Sequence, residues 1–435
     1  MRNLKPELHA PSFSYERWMR LLIGLFIAYT VYQTLGFFSI DTRLIDFEAY
    51  LAAAQALSQG APIYPEGNWP LLHENPLGDV EIGANATPKD NLFYVYPPLL
   101  ALALQPWLAL PLAWAKWLWT GTMLFAYAGA VGLLLWEGMR NGWLNRVEAL
   151  TFGVVSFYWA PLTISLVVGQ VTPLLFFLIA LHAGLALYQR DAAAGVVLAL
   201  AVLVKVSPAV LLPFWLLLGR WRLLMGFMAG LTAGVLLTGW QTNATFAASI
   251  LPQLTRGEHS ELNHSLFGVI ANVLYGPAPM GWISPEAIEQ AGSGLLILRG
   301  AAWAAWALTF VAAWRWARNG NTLMGVSLLL LAAMVWSPVA RLHDFVWMIA
   351  LVIITYAWVR DHFAAWRMAL WLYWFAMLNG NFIAWHAQWA FDPFSEALLS
   401  YPPTLANTLL WLGLIGDGFF YRKSPSQPII ARLKA

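Results

Sequence analysis

Val171–Val206 reads VTPLLFFLIALHAGLALYQRDAAAGVVLALAVLVKV, two apolar runs parted by Gln189-Arg190-Asp191. At a helical rise of about 1.5 Å per residue, these runs match much of the ~30 Å hydrocarbon core of a bilayer, so they read as a membrane helix hairpin. The polar residues sit at its two ends and differ in kind. Gly169-Gln170 precedes the first run and Lys205-Val206-Ser207-Pro208 closes the second, whereas Arg190 lies in the turn between them.

The same pattern extends outward along the chain. Apolar segments occupy Met19–Ser39, Ala113–Trp136, Val147–Val168, Pro208–Leu218, Leu223–Trp240, Leu295–Ala313, Thr322–Trp336, Phe345–Val359, Ala364–Trp385 and Thr404–Phe420. With the hairpin's two runs they make about twelve crossings in an all-α polytopic membrane protein. Ala192–Val206 and Pro208–Leu218 fall short of the ~20 residues of a spanning helix, which suits tilted or half-helices lining a cavity. The chain of 435 residues is 60% hydrophobic and 11% charged, far from the roughly 25% charged composition of soluble domains.

Charge reports orientation. With both termini cytoplasmic, Arg2, Lys5, Arg17, Arg20, Arg140, Arg146, Arg190, Arg220, Arg222, Arg315, Arg318, Arg360, Arg367, Arg422, Lys423, Arg432 and Lys434 all face inward, as the positive-inside rule requires. The run Met19–Ser39 is too long for a cleaved signal and reads as a first span. A net charge of +2 scattered over short loops excludes a nucleic-acid partner. Zero Cys excludes disulfides, zinc–thiolate centres and thiol nucleophiles. Residues 1–435 form one integral-membrane domain, with a large external loop over 40–96, a second external segment over 241–294 and a cytoplasmic tail over 421–435.

Every strongly polar motif then falls on the outer side. Ile40–Tyr96 carries eight acidic residues against Arg43 and Lys89, and Leu44–Gln59 reads as a short amphipathic helix ended by Gly60 and Pro62. Asp46, beside Glu48 and Tyr50, is either a helix N-cap or a carboxylate placed to take a proton from a substrate hydroxyl. Lys205 either snorkels to the interface or holds a phosphate as a point charge. Gln170 offers an amide that donates and accepts at once, in what is otherwise a plain turn. Asn263-His264-Ser265 reads equally as a solvated loop or a polar contact cluster. Arg341 and His343, after Ser337-Pro338, either decorate a helix end with Asp344 or stabilise charge on a departing phosphate.

In order and spacing these motifs resemble glycosyltransferase family 87 of the GT-C superfamily. The resemblance is carried by Asp46-Phe47-Glu48-Ala49-Tyr50 with Gly60-Ala61-Pro62-Ile63-Tyr64, by Tyr96-Pro97-Pro98, and by Gly169-Gln170-Val171-Thr172-Pro173 with Ala194-Gly195, Lys205, Pro208 and Arg220-Trp221-Arg222. Asn263-His264-Ser265-Leu266 is similar to the family's Asn-Gln-Ser-Leu, and Ser337-Pro338 through His343-Asp344-Phe345-Val346-Trp347 to its Ser-Pro…His-His-x-Val-Trp. It spans about Asp46 to Trp347. The chain departs from the pattern at His264, at Arg341 and at Asp344, which stands where the family has a second His.

The resemblance implies a GT-C-type transmembrane helix bundle that moves a sugar, mannose foremost, from a polyprenyl-phosphate donor to a glycolipid or glycan acceptor at the outer face of the plasma membrane. Asp46 and His343 are the expected catalytic pair, Lys205 and Arg341 the phosphate holders, and Tyr50, Gln170, Asn263 and His264 the substrate contacts. No cofactor and no metal are expected, since no Asp-x-Asp pair lies near this centre. Two readings from other classes stand beside it: a transporter or lipid-linked sugar flippase, which would use intramembrane groups such as His182 and Asp417, and a non-catalytic scaffold of envelope assembly.

Overall fold

A computed structural model describes residues 44–64, 94–157, 159–258, 263–275, 293–361 and 402–420. The expected spans Met19–Ser39 and Ala364–Trp385, most of the first external loop and the C-terminal tail lie outside the described residues. The described chain is helical, without an extended strand element. In order its α-helices are α1 (Ile45–Ser58), α2 (Pro98–Leu104), α3 (Leu112–Arg140), α4 (Arg146–Ser156), α5 (Ala160–Val168), α6 (Thr172–Leu187), α7 (Asp191–Val204), α8 (Leu211–Leu217), α9 (Trp221–Thr238), α10 (Trp240–Thr245), α11 (Leu251–Arg256), α12 (Leu266–Tyr275), α13 (Ser293–Arg318), α14 (Thr322–Val335), α15 (Met348–Asp361) and α16 (Pro402–Phe420). Proline supplies the fixed φ of a first turn in α2, α5 and α6, where its missing N–H costs nothing.

Among the described residues, five helical stretches are long and apolar enough to cross a membrane: Leu112–Arg140, Arg146–Val168, Trp221–Thr238, Ser293–Arg318 and Leu342–Val359. The second is α4 followed by α5, so the single span expected over Val147–Val168 is two helices that meet near Trp159. The outer surface of these stretches is greasy: Phe125, Leu236, Ile297 and Trp303 are all exposed. A water-soluble domain does not present apolar side chains in such numbers; a lipid-facing one does.

α14 is apolar all round and buried along its whole length, from Leu323 to Val335. At 14 residues it spans only about 21 Å, and it survives as a short helix because its neighbours, not lipid, surround it. α7 and α9 approach still more closely. A Cβ on Gly195 would lie 2.0 Å from the Leu223 carbonyl oxygen, and one on Gly226 would lie 2.2 Å from that of Ala192. The two glycines therefore set the separation of the two backbones, as small residues do between membrane helices.

The bundle has two chemically different ends. α3 begins beside Gly169, whose carbonyl accepts from Trp119 Nε1 at 2.9 Å, and ends at Arg140. α6 starts just after Gln170 and ends where Tyr188 donates to Glu137 of α3 at 2.6 Å. α7 starts at Asp191, in an ion pair with Arg220, and ends at Lys205. Arg140, Arg190 and Arg220 thus collect at one end of the bundle, and Gln170 and Lys205 at the other.

Candidate active site

The site is built where α1 lies across the α5–α6 turn. Leu44 adopts the left-handed conformation (φ 44°) and is buried, which turns the chain sharply into α1. The N-cap position belongs to Leu44, with no side-chain cap, so the carboxylate one residue inside the helix is available for another partner. Asp46 Oδ2 accepts from Gln170 Nε2 at 2.6 Å, which overturns the N-cap reading of Asp46. Nor is α1 amphipathic: Phe47 to Ala54 are buried without interruption, because α2, the 3₁₀ turn Gln105–Ala109 and α5 all pack against it.

Gly169 makes the approach possible. It has φ 79°, and a Cβ there would sit 2.8 Å from Phe47 Cβ and 3.1 Å from the Phe47 amide nitrogen. Only a glycine lets α1 settle onto this turn.

Gln170 is held from both sides. Its backbone N–H donates to the Ser165 carbonyl at 2.8 Å, and its Oε1 accepts from the hydroxyls of Tyr50 at 3.2 Å and Tyr96 at 2.8 Å. Burial pushes both phenols above their ordinary range, so they remain O–H donors. With two donors on the oxygen, the amide nitrogen has one orientation left to it, toward Asp46. The two tyrosine rings meet edge to face at 4.9 Å.

Asp46 is half-buried, and burial raises its pKa from 3.8 to about 6, against the opposing pull of the Gln170 hydrogen bond and of the Arg341 and Lys205 charges. A carboxyl poised there is ionised at neutral pH yet basic enough to take a proton.

The cations arrive from other elements. Lys205 follows the last turn of α7 in extended backbone, ion-pairs with Asp344 and lies 5.7 Å from the Tyr96 ring centroid, so it does not snorkel alone. Asp344 sits in the 3₁₀ turn Leu342–Trp347, where its Oδ2 also accepts from the Arg341 backbone N–H at 3.1 Å. Both its helix-end role and its ion pair are therefore real. Arg341 grips both oxygens of the buried Glu258, at 2.8 and 3.4 Å. His343 is largely buried, with Nε2 3.8 Å from Asp344 Oδ1, beyond direct hydrogen bonding.

Asn263 is fully buried and fully committed. Its Nδ2 donates to the carbonyls of Glu258 and Pro338 at 2.9 and 2.8 Å, while its Oδ1 accepts from Ser265 N–H and Oγ and from Ala340 N–H. It pins the segment before α12 to the loop carrying Arg341. The adjacent His264 is tied in through its backbone, its N–H to Ala340 O at 2.7 Å and its carbonyl to Thr404 Oγ1 at 2.6 Å.

Three members of the site were not picked out as site residues from the sequence. Glu258 hides in a charged loop segment, Tyr96 in an aromatic–proline element, and Lys116 in an apolar span. Lys116 pairs at 2.7 Å with the buried Glu48, anchoring α1 to α3 from the side opposite Gln170. A charge inside an apolar span was the available signal. His182 has nothing to do with the site: its two ring nitrogens meet the Ala194 carbonyl and Trp215 Nε1, each at 2.9 Å. Among the described residues no group of three His, Asp or Glu side chains is arranged to hold a metal ion.

The model of glycosyltransferase family 87 matches residues 94–341, a stretch that holds Tyr96, Gln170, Lys205, Asn263, His264 and Arg341 and stops short of Asp46 and His343. A Mycobacterium tuberculosis polyprenol-phosphate-mannose-dependent alpha-(1-2)-phosphatidylinositol mannoside mannosyltransferase is 26% identical over 360 residues, 77% of this chain and 74% of that one. Its namesake from Mycolicibacterium smegmatis is 25% identical over 368 residues, 76% of each. A Mycobacterium tuberculosis polyprenol-phosphate-mannose-dependent alpha-(1-2)-phosphatidylinositol pentamannoside mannosyltransferase is 26% identical over 317 residues, 70% of this chain and 67% of that one. With more than half its length matched by the family model and a bundle of membrane-length apolar helices around the site, the chain belongs to glycosyltransferase family 87 and is a membrane glycosyltransferase.

Proposed function

We propose that this enzyme transfers mannose from a polyprenyl-phosphate donor to a hydroxyl of a glycolipid or envelope-linked glycan, at the outer face of the plasma membrane, with inversion. The donor class is supported by the mycobacterial relatives, which are polyprenol-phosphate-mannose-dependent mannosyltransferases. The distribution of charge supports the outer face, since the site lies at the bundle end away from Arg140, Arg190 and Arg220. The observation that carries the chemistry is the Asp46 carboxyl, aimed by Gln170 and raised to a pKa of about 6 beside two cations.

In this reading Asp46 takes the proton of the acceptor hydroxyl as that oxygen bonds to the anomeric carbon. The bond from that carbon to the phosphate oxygen breaks, and its electron pair leaves with the phosphate. Lys205 and Arg341 receive the growing negative charge, with His343 alongside, so positive side chains stand where other transferases employ a metal. Tyr50 and Gln170 act by orienting the base. Asn263 acts by holding the Arg341 loop in place, and His264 borders the same loop.

The test is transfer by purified protein in lipid, offered radiolabelled polyprenyl-phosphate mannose, glucose and arabinose with membrane-extract acceptors, wild type beside Asp46→Asn. Transfer from the mannose donor that vanishes in a folded Asp46→Asn variant supports both donor and base. Transfer from another donor corrects the sugar, and full turnover by Asp46→Asn removes the base assignment.

A further inference from the structure

Among the described residues, the lysines and arginines of this site arrive already neutralised: Lys116 by Glu48, Arg341 by Glu258 and Lys205 by Asp344. An anionic donor must therefore share or take over one of these pairs, and the three are not equally ready to part. Glu258 is fully buried and holds Arg341 with both oxygens, so losing the guanidinium would strand it. The Glu48–Lys116 pair anchors α1 from the side away from Gln170. Asp344 differs, because one oxygen faces Lys205 while the other stays bonded to the Arg341 N–H, with His343 Nε2 3.8 Å away. It can release Lys205 and keep a partner. Lys205 is also the more open of the two, its side chain 21% exposed against 9% for Asp344, and close enough to Asp46 for its charge to act on that carboxyl.

We propose, on the reading that the donor is a polyprenyl phosphate, that Asp344 is an exchangeable counter-anion: it occupies Lys205 in the empty site, yields that cation to the donor phosphate, and reclaims it as polyprenyl phosphate leaves. The position is one at which the chain departs from the pattern it resembles, carrying a carboxylate in place of a second His. A carboxylate there competes with the phosphate at equilibrium. Phosphate binding is weaker in consequence, and the leaving product does not linger on an uncompensated lysine. Asp344 is thus a positioning and release residue that never touches the sugar.

The test measures binding of a short-chain polyprenyl phosphate to the full chain in lipid nanodiscs, and inhibition of transfer by the same compound. Asp344→Asn keeps an acceptor for the Arg341 N–H and removes only the charge; Asp344→His serves if the first variant does not fold. Tighter binding than wild type, on the order of ten-fold, with matching product inhibition supports the exchange. The gain must disappear in Lys205→Met/Asp344→Asn compared with Lys205→Met. Unchanged or weaker binding by folded Asp344→Asn or Asp344→His overturns it and makes Asp344 a simple anchor for Lys205. Failure of the wild type to bind polyprenyl phosphate would remove the donor reading and this exchange with it, an outcome distinct from normal wild-type binding with no gain in the variant.

Discussion

Gln170→Met isolates the hydrogen bond that tunes Asp46. The pKa of that carboxyl stands at about 6 because burial raises it more than the Gln170 N–H, Arg341 and Lys205 lower it. A base works when ionised, so wild-type kcat/KM rises with pH through about 6 and levels off above it. Methionine keeps the length of glutamine but cannot donate. A hydrogen bond to a charged acceptor contributes about 1.5–3 kcal/mol, which moves the carboxyl upward by roughly one to two pH units. The acid limb of Gln170→Met is then centred between about 7 and 8, and much of the lost activity returns near pH 9. The assay is the pH profile of kcat/KM for sugar transfer, wild type beside the variant, each in lipid. If the acid limb stays where it was and only the plateau falls, Gln170 does not set the basicity of Asp46. An acid limb absent from both proteins would deny Asp46 the role of base.

Asp46→Asn, expected to abolish transfer, should raise thermal stability: ionising a carboxyl whose pKa moves from 3.8 to about 6 on folding costs up to about 3 kcal/mol at neutral pH, somewhat less for a half-buried group. The stabilising contribution of the wild-type carboxyl is complete below pH 3.8 and lost as the pH rises through about 6, so the gap in Tm between variant and wild type widens over that window and closes in acid. Gly169→Ala places a Cβ 2.8 Å from that of Phe47 at a positive φ, and should cost more than ten-fold in kcat/KM, read by transfer assay, against a stability loss of only about 1–2 kcal/mol. Lys116→Met strands the buried Glu48 carboxylate and should destabilise by about 3 kcal/mol in thermal unfolding, while Glu48→Gln/Lys116→Met recovers most of it. Gly195→Ala drives a methyl to 2.0 Å from the Leu223 carbonyl, and size-exclusion chromatography should find little monodisperse protein.

The residue types of the site were legible in the sequence, and their partners were not. Asp46, Gln170, Lys205 and Arg341 stand out because polar groups in so apolar a chain are rare. What joins them is long-range: 124 residues separate Asp46 from Gln170, and 139 separate Lys205 from Asp344. The capping preference of Asp is a local rule, and it lost at Asp46 to an amide delivered by a distant turn. The expected amphipathic face of α1 failed for a related reason. A helix packed by its own chain on all faces over Phe47–Ala54 has no solvent side there, whatever its spacing suggests. Asn263 misleads in the opposite direction, since a polar side chain in a loop looks ready for a ligand until its whole hydrogen-bonding capacity is found spent on three backbone segments.

The glycines connect the two levels. Gly169, Gly195 and Gly226 have no chemistry, yet each marks a place where two backbones come closer than any Cβ permits. The Gly195–Gly226 contact sets α7 against α9, and the end of α7 is where Lys205 emerges. Gly169 seats α1, and the start of α1 is where Asp46 emerges. Asp46 and Lys205 are thus positioned by backbone contact, which is stiff, while Gln170 and Asp344, their side-chain partners, act through a hydrogen bond and an ion pair, which can exchange. On the proposed mechanism, an enzyme that admits a charged lipid and releases another at every turnover needs both: a base that does not wander, and a cation whose partner can change.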